Sequence, residues 1–187
     1  MERLYRVDYI VIHHSLTKDE KIVNWNAIRN YHINVNKWKD IGYHFGIDLI
    51  NDYPEILIGR LPIYQGAHTY GLNYCSLGIC VIGNYDNDVI DDKKYKRLLE
   101  LLEYLINVYA VRVERIIGHR EVKVLYDLKM VSFEVYQQNI KSCPGFNFSM
   151  AKLRKDICNR LNIPEPNTLL YKKLNEYDDF VIKNRKI

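Results

Sequence analysis

The stretch DYIVIHHS, residues 8–15, decides how the rest of the chain reads. Its centre, Tyr9 to Ile12, is a short apolar run rich in β-branched residues that ends in polar groups, the pattern of a buried strand. Successive side chains of a strand leave on opposite faces. His13 and His14 therefore part at its end: one can enter a site while the other packs or hydrogen-bonds. A buried strand this early needs sheet neighbours, and the downstream sequence supplies them.

IGYHFGIDLI (41–50) and EILIG (55–59) read as strands joined by the turn NDYP (51–54), and LGICVIG (77–83) and RIIGH (115–119) as further buried strands. GAHTYGLNYCS (66–76) is a glycine-bearing loop. Between the strands lie helical patterns. Asn24 can cap a helix with Trp25, Ile28, His32 and Val35 on one stripe. Asp91 and Asp92 open the clearest helix, with Tyr95, Leu98, Leu99, Leu102, Leu105, Ile106 and Tyr109 at helical spacing. A short helix is predicted from Ser132, with Phe133, Tyr136 and Ile140 on one side, and a last one after Ser149, with Met150, Leu153, Ile157 and Leu161 inward. Beyond Pro164 and Pro166 the sequence is polar and too short for a separate domain. Strands alternating with helices predict an α/β fold, a central mixed β-sheet flanked by helices.

The totals agree with one globular domain. The chain has 187 residues, 48% hydrophobic and 27% charged, and is long enough to bury a core without disulfide staples. Its four cysteines are read as reduced thiols, since the chain is neither small nor cysteine-dense. A net charge of +4 mildly favours anionic partners, but the basic residues are scattered, so no nucleic acid is expected. No apolar run approaches membrane-span length, and the N-terminus carries no signal-peptide pattern.

Three potential zinc ligands fall at strand ends or in the loop after one: His13, His119 and Cys143. A catalytic zinc takes three protein ligands and leaves a position open for water. The separations are too long for a zinc-finger spacing, so spacing alone leaves two other readings open. Cys143 could be a nucleophile with His119 as its base, although Pro144 and Gly145 follow it where a helix N-terminus would be wanted. It could also be a buried small hydrophobe.

Six motifs in order resemble the zinc-dependent N-acetylmuramoyl-L-alanine amidases of the peptidoglycan-recognition-protein and phage-lysozyme type. The resemblance runs from about Tyr9 to about Ile157. IVIHHS is similar to the family's first strand and implies His13 as a zinc ligand. WKDIGYHFGI places Tyr43 beside the metal, and GAHTYGLN implies that His68 lines the substrate groove. SLGICVIGNYD resembles the central strand. IIGHREV supplies His119 and CPGF supplies Cys143 as the remaining ligands. A cysteine at this place implies catalysis, because non-enzymatic relatives commonly lose it. The family's second histidine and cysteine are usually much closer than here, where 23 residues intervene. The stretch from about 121 to 140 is therefore expected to be an insertion within a catalytic domain spanning 1–161, with 162–187 as a C-terminal extension. Lys141 matches the catalytic lysine of the phage-lysozyme branch.

The resemblance implies a hydrolase that uses a zinc-activated water to cleave the amide between N-acetylmuramic acid and L-alanine, with Tyr43 and Lys141 as catalytic candidates. It implies bacterial peptidoglycan as partner and, by analogy with one relative, a possible polymerase partner. The expected setting is that of a phage or prophage endolysin held in the host bacterial cytoplasm before lysis. A non-catalytic binding module on the same scaffold is the alternative.

Overall fold

The computed structural model describes residues 1–17 and 24–185. Along the chain run β1 (Tyr9–His14), α1 (Trp25–Asn34), β2 (Phe45–Ile50), β3 (Tyr53–Ile58) and β4 (Ser76–Val81), then α2 (Asp92–Tyr109) and β5 (Ile116–Gly118). Four helices close the sequence: α3 (Val122–Asp127), α4 (Phe133–Gln138), α5 (Met150–Leu161) and α6 (Leu169–Asn184). The strands form one mixed sheet in the order β3-β2-β4-β1-β5, antiparallel only between β2 and β3. This is the predicted α/β architecture.

All six residues of β1 are buried, because it lies between two parallel neighbours and is covered on both faces. Ile10 and Ile12 pack with Leu77, Ile79 and Ile116 beneath Leu98, Leu102 and Leu105 of α2 and Leu153 and Ile157 of α5. Tyr9 and Val11 pack the other way, with Ile117, Val122, Leu125 and, from α6, Leu170 and Leu174. The alternation that separates these two sets continues into His13 and His14.

Local chemistry accounts for the element ends. Asn51 and Asp52 both have positive φ, 51° and 66°, which makes a two-residue primed turn of the kind that matches strand twist. The hairpin is thus tighter than the four-residue turn expected, and β3 takes in Tyr53 and Pro54. Proline is tolerated there because β3 is an edge strand. Asn24 caps α1 by accepting from the Ala27 amide, as expected, and Asp91 caps α2 by accepting from Lys93 and Lys94. The inner stripe of α1 is shorter than predicted. Only Trp25 is buried, and Val35 stands exposed just past the last turn. Ser132 caps α4, but no residue of α4 is buried, and Ile140 lies exposed beyond its end.

The polar tail, for which no element was expected, forms α6. Its inner face carries Leu170, Leu174 and Val181 at helical spacing, together with Asp178. Asp178 has no accessible surface and pairs at 2.6 Å with the equally buried Arg120. The same guanidinium donates to the carbonyls of Gly145 and Phe148. The second Asp178 oxygen accepts from the Ser149 hydroxyl and the Ala151 amide at the start of α5. Next in sequence to Arg120, Glu121 makes a two-pronged pair with Arg154 of α5 at 2.8 and 2.9 Å. Both pairs are fully buried.

Removing one partner from a buried, hydrogen-bonded ion pair leaves an uncompensated charge, at a cost of about 3–5 kcal/mol. Asp178→Ala is expected to lower the urea midpoint of unfolding by a corresponding amount. Asp179→Ala, its neighbour on the exposed side of α6, is expected to leave that midpoint within error.

Candidate metal centre

Parallel pairing of β1 with β4 and β5 brings the ends of these strands together. His13 leaves β1 on the face opposite His14. His119 follows the last residue of β5, and Cys143 arrives from the loop before α5. One ligand atom from each of the three lies within 4.8 Å of the others. The structure thus gathers the residues expected to hold a metal. All three side chains are buried, with His13 1%, His119 7% and Cys143 7% exposed.

The Cys143 loop is held by Arg120. Its amide donates to the Cys143 carbonyl at 2.9 Å, and its side chain reaches the carbonyls on both sides. Gly145, with φ of +112°, passes against the backbone of Tyr85 where any Cβ would collide.

Burial sets the protonation of the trio. It pushes the His119 pKa down to about 4 and that of His13 well below its ordinary value. Both imidazoles are therefore neutral near pH 7, each with one nitrogen lone pair free to bind a cation. For His119 a hydrogen bond fixes which nitrogen that is. His13 Nε2 lies 3.1 Å from His68 Nδ1, and His119 Nε2 lies 2.8 Å from Asn139 Oδ1. Asn139 Oδ1 can only accept, so in His119 Nε2 is the donor and Nδ1 is left for the trio. Burial also raises the Cys143 thiol to about 11, and its S–H points to the His14 carbonyl at 3.8 Å. A nucleophilic cysteine needs a lowered pKa and an adjacent base. Here the pKa is raised, and His119 is hydrogen-bonded to Asn139. A cation is the group that would bring this buried thiol to its thiolate, so the donor set fits a metal.

The other expected residues surround the trio. The Tyr43 ring lies 5.1 Å from His13. Burial holds that phenol well above its ordinary pKa, so it remains a donor. Rings continue outward from Tyr43 to His32 and from His32 to Trp38, at 5.6 and 4.7 Å. A surface cavity of about 500 Å³ opens at that end, between Lys37, Trp38 and Lys39. His68 is set against His13 and is 8% exposed, its imidazole filling the space above Gly78, where a Cβ would lie 2.5 Å from the ring. Lys141 is exposed, and its charge helps lower the His119 pKa. His14 is on the opposite face, as expected, and accepts from the Tyr85 amide. His44 neighbours His68. Its ring lies 5.5 Å from His68, with both nitrogens bonded to backbone. Sequence reasoning missed Asn139, which lies in the stretch read as an insertion and belongs to no recognisable spacing.

The profile described as N-acetylmuramoyl-L-alanine amidase matches residues 3–146. The chain is 32% identical over 120 residues to the endolysin of Escherichia phage T7, covering 62% of this chain and 76% of the phage protein. It is 34% identical over 125 residues to a peptidoglycan recognition protein of Trichoplusia ni, of which it spans 65%. An N-acetylmuramoyl-L-alanine amidase from Clostridium intestinale superposes with a TM-score of 0.62 at 26% identity, covering 86% of this chain and 88% of that one. Sheet order and relatives together define the class, an α/β protein of the endolysin and recognition-protein kind. The matched span takes in His13, Tyr43, His68, His119, Lys141 and Cys143. The chain belongs to the N-acetylmuramoyl-L-alanine amidase family.

The buried histidines carry a pH signature. His44 donates from Nε2 to the Tyr64 carbonyl and accepts at Nδ1 from the Gly78 amide, and burial lowers its pKa to about 4 from an ordinary 6.5. Between those values the unfolded chain binds the extra proton, so stability present above about pH 6.5 is lost as pH falls toward 4. The metal-free protein is expected to lose up to about 1.4 kcal/mol per pH unit from this group, read as a falling urea midpoint between pH 7 and pH 5. His44→Gln should lower the midpoint at pH 7 and flatten that decline.

Proposed function

We propose that the chain is a zinc-dependent N-acetylmuramoyl-L-alanine amidase that cleaves bacterial peptidoglycan between the lactyl group of N-acetylmuramic acid and L-alanine. The closed trio of His13, His119 and Cys143 carries this reading. Held by His13, His119 and Cys143, zinc would supply Lewis acidity to the scissile carbonyl and a water acidic enough to react near neutral pH.

The chain's own residues do the rest. Tyr43 keeps its proton across the working range and lies beside His13, which suits it to donate a hydrogen bond to the oxyanion as the carbonyl becomes tetrahedral. Lys141 brings a positive charge to the mouth of the site, where negative charge develops. His68 is assigned to holding His13 in its tautomer, and the edge it leaves exposed faces the substrate. The aromatic run from Tyr43 to Trp38 and the lysines beside it form the proposed path of the peptide stem.

The similarity to the phage T7 and T3 endolysins supports a lysis role, in which the enzyme is made in the host cytoplasm and reaches the wall when the membrane is permeabilised. Among the described residues no helix is long and apolar enough to cross a membrane. A pure binding module is the second reading, favoured by the recognition proteins among the relatives. The intact donor trio argues against it, because binding alone needs no such trio.

The purified protein is expected to contain one zinc and to release L-alanine amino termini from peptidoglycan, with release stopped by a chelator and restored by zinc. Cys143→Ala should lose both metal and activity. Tyr43→Phe should keep the metal and lose about 100- to 1000-fold in rate. Tight peptidoglycan binding with zinc present and no new termini would hand the case to the binding module.

A further inference from the structure

From Tyr126 to Ser142 the chain runs over the surface, and within that span one residue is buried. That residue is polar. Asn139, 3% exposed, ends a helix that buries nothing of its own. Hydrophobic packing cannot explain why this side chain is inside, but its hydrogen bonds can.

The Asn139 amide is fully committed. Nδ2 donates to the Tyr70 carbonyl at 2.9 Å and to the Val135 carbonyl at 2.5 Å. Two carbonyls can only accept, so the orientation of the amide is settled and Oδ1 faces His119 Nε2 at 2.8 Å. An amide oxygen in turn only accepts, so His119 must carry its proton on Nε2. The remaining lone pair is then on Nδ1, in a ring that offers a ligand atom within 4.8 Å of those of His13 and Cys143. Ligand histidines are typically fixed in this way by a partner on the other ring nitrogen.

We propose that Asn139 is a positioning residue of the metal centre, and that residues 121–140 belong to the site through it. The proposal rests on the zinc reading above. Other contacts tie the same segment to the loop that holds His68. The Tyr70 hydroxyl donates to Glu134 at 2.7 Å, and Val135 fills the space over Gly71. One latch therefore couples the support of His119 to the support of His13. A surface excursion would need no such amide. Loss of an outer partner to a ligand histidine typically costs about 10- to 100-fold in metal affinity.

The test compares two substitutions in the full-length protein, reading zinc affinity by competition with a coloured chelator and the His119 tautomer in the metal-free protein by nitrogen NMR shifts. Asn139→Ala removes the acceptor and is expected to weaken zinc about 10- to 100-fold and to mix the His119 tautomers. Asn139→Asp keeps an acceptor for His119 while losing both donors to carbonyls. It should restore affinity to within a few-fold of the parent and keep the Nε2-protonated tautomer.

If both variants weaken zinc equally, with matching losses of metal-free stability, Asn139 is only a clamp for α4 and the proposal falls. It also falls if neither variant alters affinity or tautomer. Absence of zinc binding in the parent would defeat the zinc reading, and the tautomer measurement would still decide whether Asn139 sets the ring.

Discussion

Two guanidinium groups inside the protein, Arg120 and Arg154, hold together the parts on which the site depends. Each is fully buried against a carboxylate, Asp178 and Glu121. Buried charges are costly unless paired and hydrogen-bonded, and here nearly every polar edge has work. Arg120 ties the loop around Cys143 to α6, and Arg154 ties the start of β5 and Glu121 beyond it to α5. His119 stands next to Arg120 in sequence. The charge network therefore controls where two residues of the trio can be, and the sheet controls the third.

The site in turn shows how burial does chemical work. The same desolvation that makes His13 and His119 poor bases makes them neutral, and neutral imidazole is the form that binds a cation. For Cys143, desolvation acts the other way by retaining the proton, until a cation arrives to replace it. Tyr43 is held as a permanent donor by the same low-dielectric surroundings. Four groups of different chemistry are thus set by one physical cause, and the hydrogen-bond partners, His68 and Asn139, supply direction.

Much of this was legible in the sequence. The alternation in Tyr9–His14 was enough to send His13 and His14 to opposite faces, because period two is enforced by strand geometry. The caps at Asn24, Asp91, Ser132 and Ser149, and the gathering of His13, His119 and Cys143, were readable because each rests on local geometry or on motif order. The missed features rest on contacts between distant residues. Helix α6 was hidden because Asp178 sits in its inward stripe, where a hydrophobic pattern needs an apolar residue, and its partner lies 58 positions away. Helix α3 is a single short run, Val122–Asp127, too brief to show a period. Asn139 had no signal at all, since an isolated asparagine in a polar stretch looks like any surface residue.

The order of strands across the sheet has a consequence for how the molecule comes into being. β1 is flanked by β4 and β5, so the first strand made has no partner until the chain has grown well past it. Ribosomal synthesis proceeds from the N-terminus, and domains fold as units once their long-range pairings become possible. His13 emerges early, Cys143 only after residue 142, and the carboxylate that anchors the Cys143 loop later still, at Asp178. Hydrolytic competence is therefore among the last properties the nascent chain acquires.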